Sequence, residues 1–182
     1  MQKSEKEQIL LHACCAPCTP HVFNVLSEQF EISLFFFNPN IQPEDEYELR
    51  KAEIERYSEQ NEIELIVGDY EVEEWEKAIS GHEEDSEGGR RCEICYKLRL
   101  EKTAGEAKKN NINNFTTTLS ISPHKNAETI NRIGRDVADQ KALDFFEADF
   151  KKKNGFKISC DISKEYGFFR QSYCGCLYSR RK

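Results

Sequence analysis

Eight cysteines in this chain fall into clusters rather than being spread along it. Cys14, Cys15 and Cys18 close the stretch "ILLHACCAPC", Cys92 and Cys95 form a C-x-x-C, Cys174 and Cys176 flank one glycine, and Cys160 stands alone. Clusters of this kind point to metal or redox chemistry rather than to packing. On a helix, Cys92 and Cys95 share a face. At a helix start, the local positive charge and the neighbouring Arg90 and Arg91 would favour thiolates. A lone C-x-x-C suits zinc, an iron–sulfur cluster or a redox dithiol. Four thiolates complete the ligand set of an iron–sulfur cluster or an all-cysteine zinc site, and Cys14 and Cys15 could supply the other two. Adjacent cysteines reach one cofactor only by binding different metal atoms, which favours a cluster over a single zinc. The C-G-C pair, Cys174 and Cys176, reads either as a dithiol that closes into a small, easily reduced disulfide or as a chelator of a second metal together with Cys18. Cys160 reads as a small core hydrophobe. His12 could orient a ligand or bind metal, and equally could only hydrogen-bond. His21, His82 and His124 show no metal spacing, and the H-x-E…C-x-x-C pattern of zinc deaminases is absent.

These thiols need elements to hold them. Five continuous apolar runs, Ile9–His12, Ile32–Phe37, Ile63–Val67, Phe115–Ser120 and Leu143–Ala148, are compatible with buried strands. Between them, "PEDEYELRKAEIERYSEQ" starts with proline and acids, as helices do. "AETINRIGRDVADQK" puts Ile130, Ile133 and Val137 on one helical stripe. Strands alternating with helices predict a three-layer α/β fold: a mostly parallel sheet of about five strands, doubly wound, with ligands at the carboxyl ends of the strands. Cys14–Cys18, "NPNIQP" and "SPHKN" all follow strands and should face one crevice. "SGHEEDSEGGRR" reads as a mobile loop. Neither G-x-G-x-x-G nor G-x-x-x-x-G-K-[ST] occurs, so thiols stand where such sheets often cradle a phosphate.

The chain has 182 residues, 38% hydrophobic and 32% charged. Residues 1–182 read as a single domain large enough for a real core. No apolar run approaches the ~20 residues that span a bilayer, and the polar start "MQKSEKEQ" has no signal-peptide character, so a cytoplasmic location is expected. The net charge is −7, unevenly placed. Ile41–Glu87 holds 18 acidic and 4 basic residues, whereas Phe150–Lys182 holds 9 basic and 2 acidic. The basic end beside a cysteine pair suits an anionic partner such as nucleic acid.

Taken together, "LHACCAPC", "FFFNPNIQPEDEYELRK", "GGRRCEICYKLRLEKTA", "TTTLSISPHKN" and "YGFFRQSYCGCLYS" resemble the QueH-type epoxyqueuosine reductases, a cobalamin-independent family, from about Ile9 to Ser179. The resemblance implies a HUP-like doubly wound domain with a helical cysteine-containing insertion and a C-terminal cysteine segment. It implies reductive deoxygenation of epoxyqueuosine to queuosine at the tRNA wobble base. It further implies a [4Fe-4S] cluster on Cys14, Cys15, Cys92 and Cys95, a redox-active Cys174 and Cys176, and a second metal ion, iron or zinc. Cys18, Cys174 and Cys176 are the candidates to hold that ion. An electron donor is needed as a partner, and a membrane is not. Tyr173 or His12 could donate a proton. Ser122, Lys125, Asn126, Arg170 and Gln171 offer donors for a modified guanine and its phosphates, although turn and capping chemistry would use similar residues. A thiol–disulfide oxidoreductase and a non-catalytic zinc-stabilised RNA-binding domain are the competing readings.

Overall fold

The computed structural model describes residues 6–180. Five strands form one sheet: β1 (Glu7–His12), β2 (Phe30–Phe36), β3 (Leu65–Val67), β4 (Asn114–Thr117) and β5 (Asp144–Phe145). Their order is β3-β2-β1-β4-β5, with every pairing parallel. Among the described residues, six α-helices connect and extend them: α1 (Thr19–Ser27), α2 (Glu44–Gln60), α3 (Val72–Ile79), α4 (Arg90–Lys109), α5 (Ala127–Lys141) and α6 (Gly155–Glu165).

The continuous apolar character of the central strands follows from burial on both faces. Ile9, Leu11, Leu34 and Phe36 pack with Val22 and Leu26 of α1 and with Tyr47, Ile54 and Tyr57 of α2. The alternate residues Leu10, Phe35 and Phe115 pack with Leu100 and Ala104 of α4 and with Ile130, Ile133 and Val137 of α5. Alternation along a strand therefore feeds two cores, and helices cover both faces. This is the three-layer doubly wound arrangement expected from the order of apolar runs.

The strand order reverses between β1 and β4. In a sheet of this class, the crevice beyond the carboxyl ends at that point is where ligands bind. His12 and Thr117, the last residues of β1 and β4, are register partners there. Several boundaries differ from the apolar runs. The fourth run stops as strand at Thr117 because Thr117 Oγ1 accepts the Leu119 N–H and the chain turns into a 3₁₀ segment, Thr118–Ile121. The fifth run pairs only over Asp144–Phe145, at the sheet edge. The segment expected to be a mobile loop is pinned. Arg91, 1% exposed, donates from Nη1 to the carbonyls of Glu83 (2.7 Å) and Asp85, while its backbone N–H reaches Asp85 Oδ2. Among the described residues, no helix is long and apolar enough to cross a membrane.

Candidate metal and redox centre

The first thiols stand just past the end of β1. The Cys14 backbone N–H donates to Thr118 Oγ1 at 3.0 Å, and the Thr118 hydroxyl donates to Cys14 Sγ at 3.1 Å. Residues from two neighbouring strand ends thus fix this cysteine twice. Cys15 is extended, and Pro17 and Pro20 start the 3₁₀ turn Ala16–Cys18 and α1. That sharp turn brings Cys18 back onto its predecessors. The Cys14 and Cys15 sulfurs are 3.7 Å apart, and the sulfurs of Cys14, Cys15 and Cys18 all lie within 4.8 Å of one another. Among the described residues, this is the one group of three potential metal ligands so close together.

The other thiols form a second group. Cys92, in the first turn of α4, accepts the Gly88 N–H at 3.2 Å. Cys95 and Cys176 are buried with Trp75 and Ile79, and Cys174 packs against the same cluster. Cys174 and Cys176 therefore sit on the C-x-x-C, while Cys18 sits with Cys14 and Cys15. All eight cysteines are free thiols. Gly175 permits the approach. Its φ is +111°, and a Cβ there would come within 2.8 Å of Ile41 Cγ1.

Two buried arginines join these parts. Arg99 of α4 donates to Asn38 Oδ1 at 2.5 Å and points Nη1 at Cys95 Sγ, 3.9 Å away, while Asn38 Nδ2 donates to the Ala13 carbonyl. Its charge also acts on Cys14. Arg50 of α2 pairs with Glu46 at 2.7 Å and donates to the carbonyls of Cys174 (3.1 Å) and Tyr173 (3.2 Å). It clamps the C-terminal segment onto the rim, helped by the Tyr173 hydroxyl donating to the Gln42 carbonyl and the Gln42 N–H donating to the Gly175 carbonyl.

Within each group one thiol is lowered and its hydrogen-bonded neighbours are raised. Hydrogen bonds from Cys15 and Cys18 hold the Cys14 thiol well below its ordinary value, with Arg99 and Lys125 assisting against burial. The same bond to Cys14 pushes Cys15 up to about 12, and Cys18 also rises. Likewise, the bond from Cys176 lowers Cys174, with Lys125 assisting, and Cys176 rises. Burial raises Cys92. A thiol lowered toward thiolate is what soft-metal ligation or thiol exchange requires.

A cavity of about 550 Å³ opens over both groups, with Cys14, Cys18 and Cys174 in its wall. Ser122, Lys125, Arg170, Gln171 and Tyr173 also line it. Asn126 does not, and its carboxamide instead caps α5 by accepting the Thr129 N–H. His12 is fully buried. Its Nε2 bonds the Phe37 carbonyl and its Nδ1 bonds Thr117 Oγ1, so both ring nitrogens are committed. Burial, with Arg99 adding to it, lowers its pKa to about 3, and it stands as a neutral structural residue rather than a proton donor. Sequence reasoning misses Arg50, Arg99 and Thr118. The two arginines are detectable as charges at positions that the helical stripe reserves for core, as in Tyr47-Arg50-Ile54. Cys160, read from the sequence as a core thiol, instead lines the cavity.

The family model for the epoxyqueuosine reductase QueH matches residues 9–182. This chain belongs to that family. Among the QueH relatives, the Streptococcus pyogenes serotype M1 epoxyqueuosine reductase is 37% identical over 99% of this chain and 73% of its own. The Thermotoga maritima epoxyqueuosine reductase is 38% identical over 94% and 89%. The family is one of oxidoreductases. A solved structure described as a predicted subunit of tRNA methyltransferase from Methanocaldococcus jannaschii shares the fold. It has a TM-score of 0.57 and 14% identity, over 90% of this chain and 93% of that one.

Proposed function

We propose that this QueH-family chain removes the epoxide oxygen of epoxyqueuosine at the wobble position of tRNA, leaving the alkene of queuosine. The observation that carries the reading is the cavity walled by thiols from both groups, Cys14 and Cys18 on one side and Cys174 on the other, within a member of this family. The overall change is epoxide plus two electrons and two protons to alkene plus water. The donor set fits an iron–sulfur centre: every candidate ligand is a thiol, neighbouring hydrogen bonds lower Cys14 and Cys174, and buried arginines lie beside the two groups. Cys14, Cys15, Cys92 and Cys95 would hold a [4Fe-4S] cluster. Cys18, with Cys174 and Cys176 as the other candidates, would hold a second iron or zinc ion. When bound, such a cluster supplies electrons singly at low potential.

The chain's own residues do the rest. Where they do not hold the second ion, Cys174 and Cys176 serve instead as a dithiol that yields two electrons and two protons on closing to a disulfide, and an external electron donor restores it. Gly175 and the Arg50 clamp keep the two sulfurs on the rim. Tyr173 has its hydroxyl proton engaged on the Gln42 carbonyl and can release it only by breaking that bond. Lys125, Arg170 and Arg180 line the cavity and match the phosphates of the RNA. The whole of residues 1–182 acts as one domain in this reading, in the cytoplasm where tRNA is modified.

Anaerobic purification tests the centre. A brown protein with about four irons per chain is the expected result. A colourless protein holding one zinc would instead support an RNA-binding domain, and iron-free activity on disulfides would support a thiol–disulfide oxidoreductase. Cells lacking the gene should accumulate epoxyqueuosine in their tRNA nucleosides.

A further inference from the structure

The face of α6 turned to the cavity is Phe156, Ser159, Cys160 and Ser163, spaced i, i+3, i+4 and i+7 as one side of a helix requires. Ser159 and Ser163 are 5% and 1% exposed, whereas Phe156 is 37% exposed, so the phenyl ring stands at the mouth and the serines lie deeper. The start of this helix is held in place. Ser159 Oγ donates to the Pro17 carbonyl at 2.7 Å, and Gly155 packs so closely that a Cβ on it would fall 1.8 Å from the Phe150 carbonyl oxygen. A single exposed apolar side chain is ordinary on a protein surface. This one differs in its neighbour. Arg170, itself in the cavity wall, sets its guanidinium carbon over the ring, 5.9 Å from the centre. Lys152 and Lys153 are exposed just before the helix and Lys157 in its first turn, and residues 150–160 contain no acid.

We infer that Phe156, with Arg170 beside it, is a stacking platform for an unpaired base of the RNA, belonging to a nucleotide next to the one whose base enters the cavity. This rests on the tRNA reading above and adds to it a second nucleotide contact. Single-stranded loops are recognised by splaying bases onto aromatic rings and guanidinium planes, while nearby cations take the phosphates. A nucleotide in the cavity is tied to each neighbour by one phosphate, so its neighbours cross the mouth, where Phe156 stands. Lysines alone would hold the backbone. A flat apolar face adds a grip on a base, and it does so for any sequence, since every base has a π-face.

The test measures binding of the full, iron-loaded chain to an anticodon stem-loop carrying epoxyqueuosine at the wobble position, and to two versions of it made abasic at the nucleotide before or after that position. Phe156→Ala should weaken binding of the intact stem-loop about 5- to 100-fold, the worth of one base–aromatic stack. The slope of its affinity against salt should stay that of the parent, because no phosphate contact is lost. Phe156→Tyr should bind like the parent. Phe156→Leu, apolar but not flat, should lose most of what alanine loses. With one of the two abasic RNAs, Phe156→Ala and the parent should bind equally. Parent-like binding of the intact stem-loop by Phe156→Ala or by Phe156→Leu overturns the platform and leaves the tRNA reading intact. So does a loss that persists with both abasic RNAs. A parent that binds none of the three stem-loops overturns the tRNA reading and the platform together.

Discussion

Replacing Arg50 by methionine should free the C-terminal thiols without unfolding the sheet. Arg50 is 2% exposed, and its guanidinium holds the carbonyls of Tyr173 and Cys174 while paired to Glu46. Methionine fills much of the volume but cannot donate. Each charge-assisted hydrogen bond is worth roughly 1.5–3 kcal/mol. Losing the two to the segment at the low end of that range costs about 3 kcal/mol. Glu46, 16% exposed, can hydrate and adds little. At ~1.4 kcal/mol per tenfold, the segment should open about a hundredfold more often. Alkylation of the apoprotein, followed by peptide mass analysis, reads this directly because Cys176 is 5% exposed and reacts only after opening. Labelling at Cys176 should accelerate by that factor, while amide exchange in β1 stays at the parent rate. Unchanged labelling would refute the clamp. Labelling that rises in step with β1 exchange would show that Arg50 supports the whole fold instead.

Three further outcomes are expected. His12 ionises at about 3 in the folded chain, against 6.5 as the ordinary value. The unfolded state therefore binds a proton that the folded state refuses, and this contribution is full above pH ~6.5 and is lost as pH falls toward 3. Acid titration of unfolding stability should show a loss on the order of 4 kcal/mol over that range, and His12→Asn should flatten it. If the His12→Asn curve keeps the parent's slope, His12 is not its source. Gly175→Ala places a Cβ 2.8 Å from Ile41 Cγ1 at a φ of +111°. It should cost roughly 1–3 kcal/mol of segment stability, measured by the same labelling, and no change would show that the turn adapts. Cys92→Ser should lose iron and colour, whereas Cys174→Ser should keep most of the colour and lose epoxide reduction. A bleached Cys174→Ser protein would mean that the thiols are divided differently.

Much of the architecture is legible in the apolar runs, because strands buried on both faces must be continuous and amphipathic helices must repeat near every third or fourth residue. The helices at Glu44–Gln60 and Ala127–Lys141 lie where the helix start and the apolar stripe put them, and Cys92 falls in the first turn of the helix Arg90–Lys109. The edge strand β5 is shorter than its apolar run because apolar character persists where pairing stops. The glycines and charges of the loop before Arg91 suggest mobility, and its anchor, Arg91 reaching back eight residues to the Glu83 carbonyl, follows no periodic pattern. For the site, spacing reveals which cysteines matter but not how they divide. That Cys18 joins Cys14 and Cys15, and that Cys176 packs on Cys95, depends on where distant segments meet. The same limit hides Cys160 and Ser163, which are ordinary helical residues until α6 is docked against Pro17.

The most direct test of the central claim is a single-turnover reaction. Anaerobically purified, iron-loaded protein is mixed with tRNA carrying epoxyqueuosine and a low-potential chemical reductant, and the nucleosides are analysed by mass. The account predicts loss of one oxygen atom to give queuosine with the parent chain and no conversion with Cys92→Ser. An epoxide that survives intact with fully loaded protein and excess reductant would contradict it.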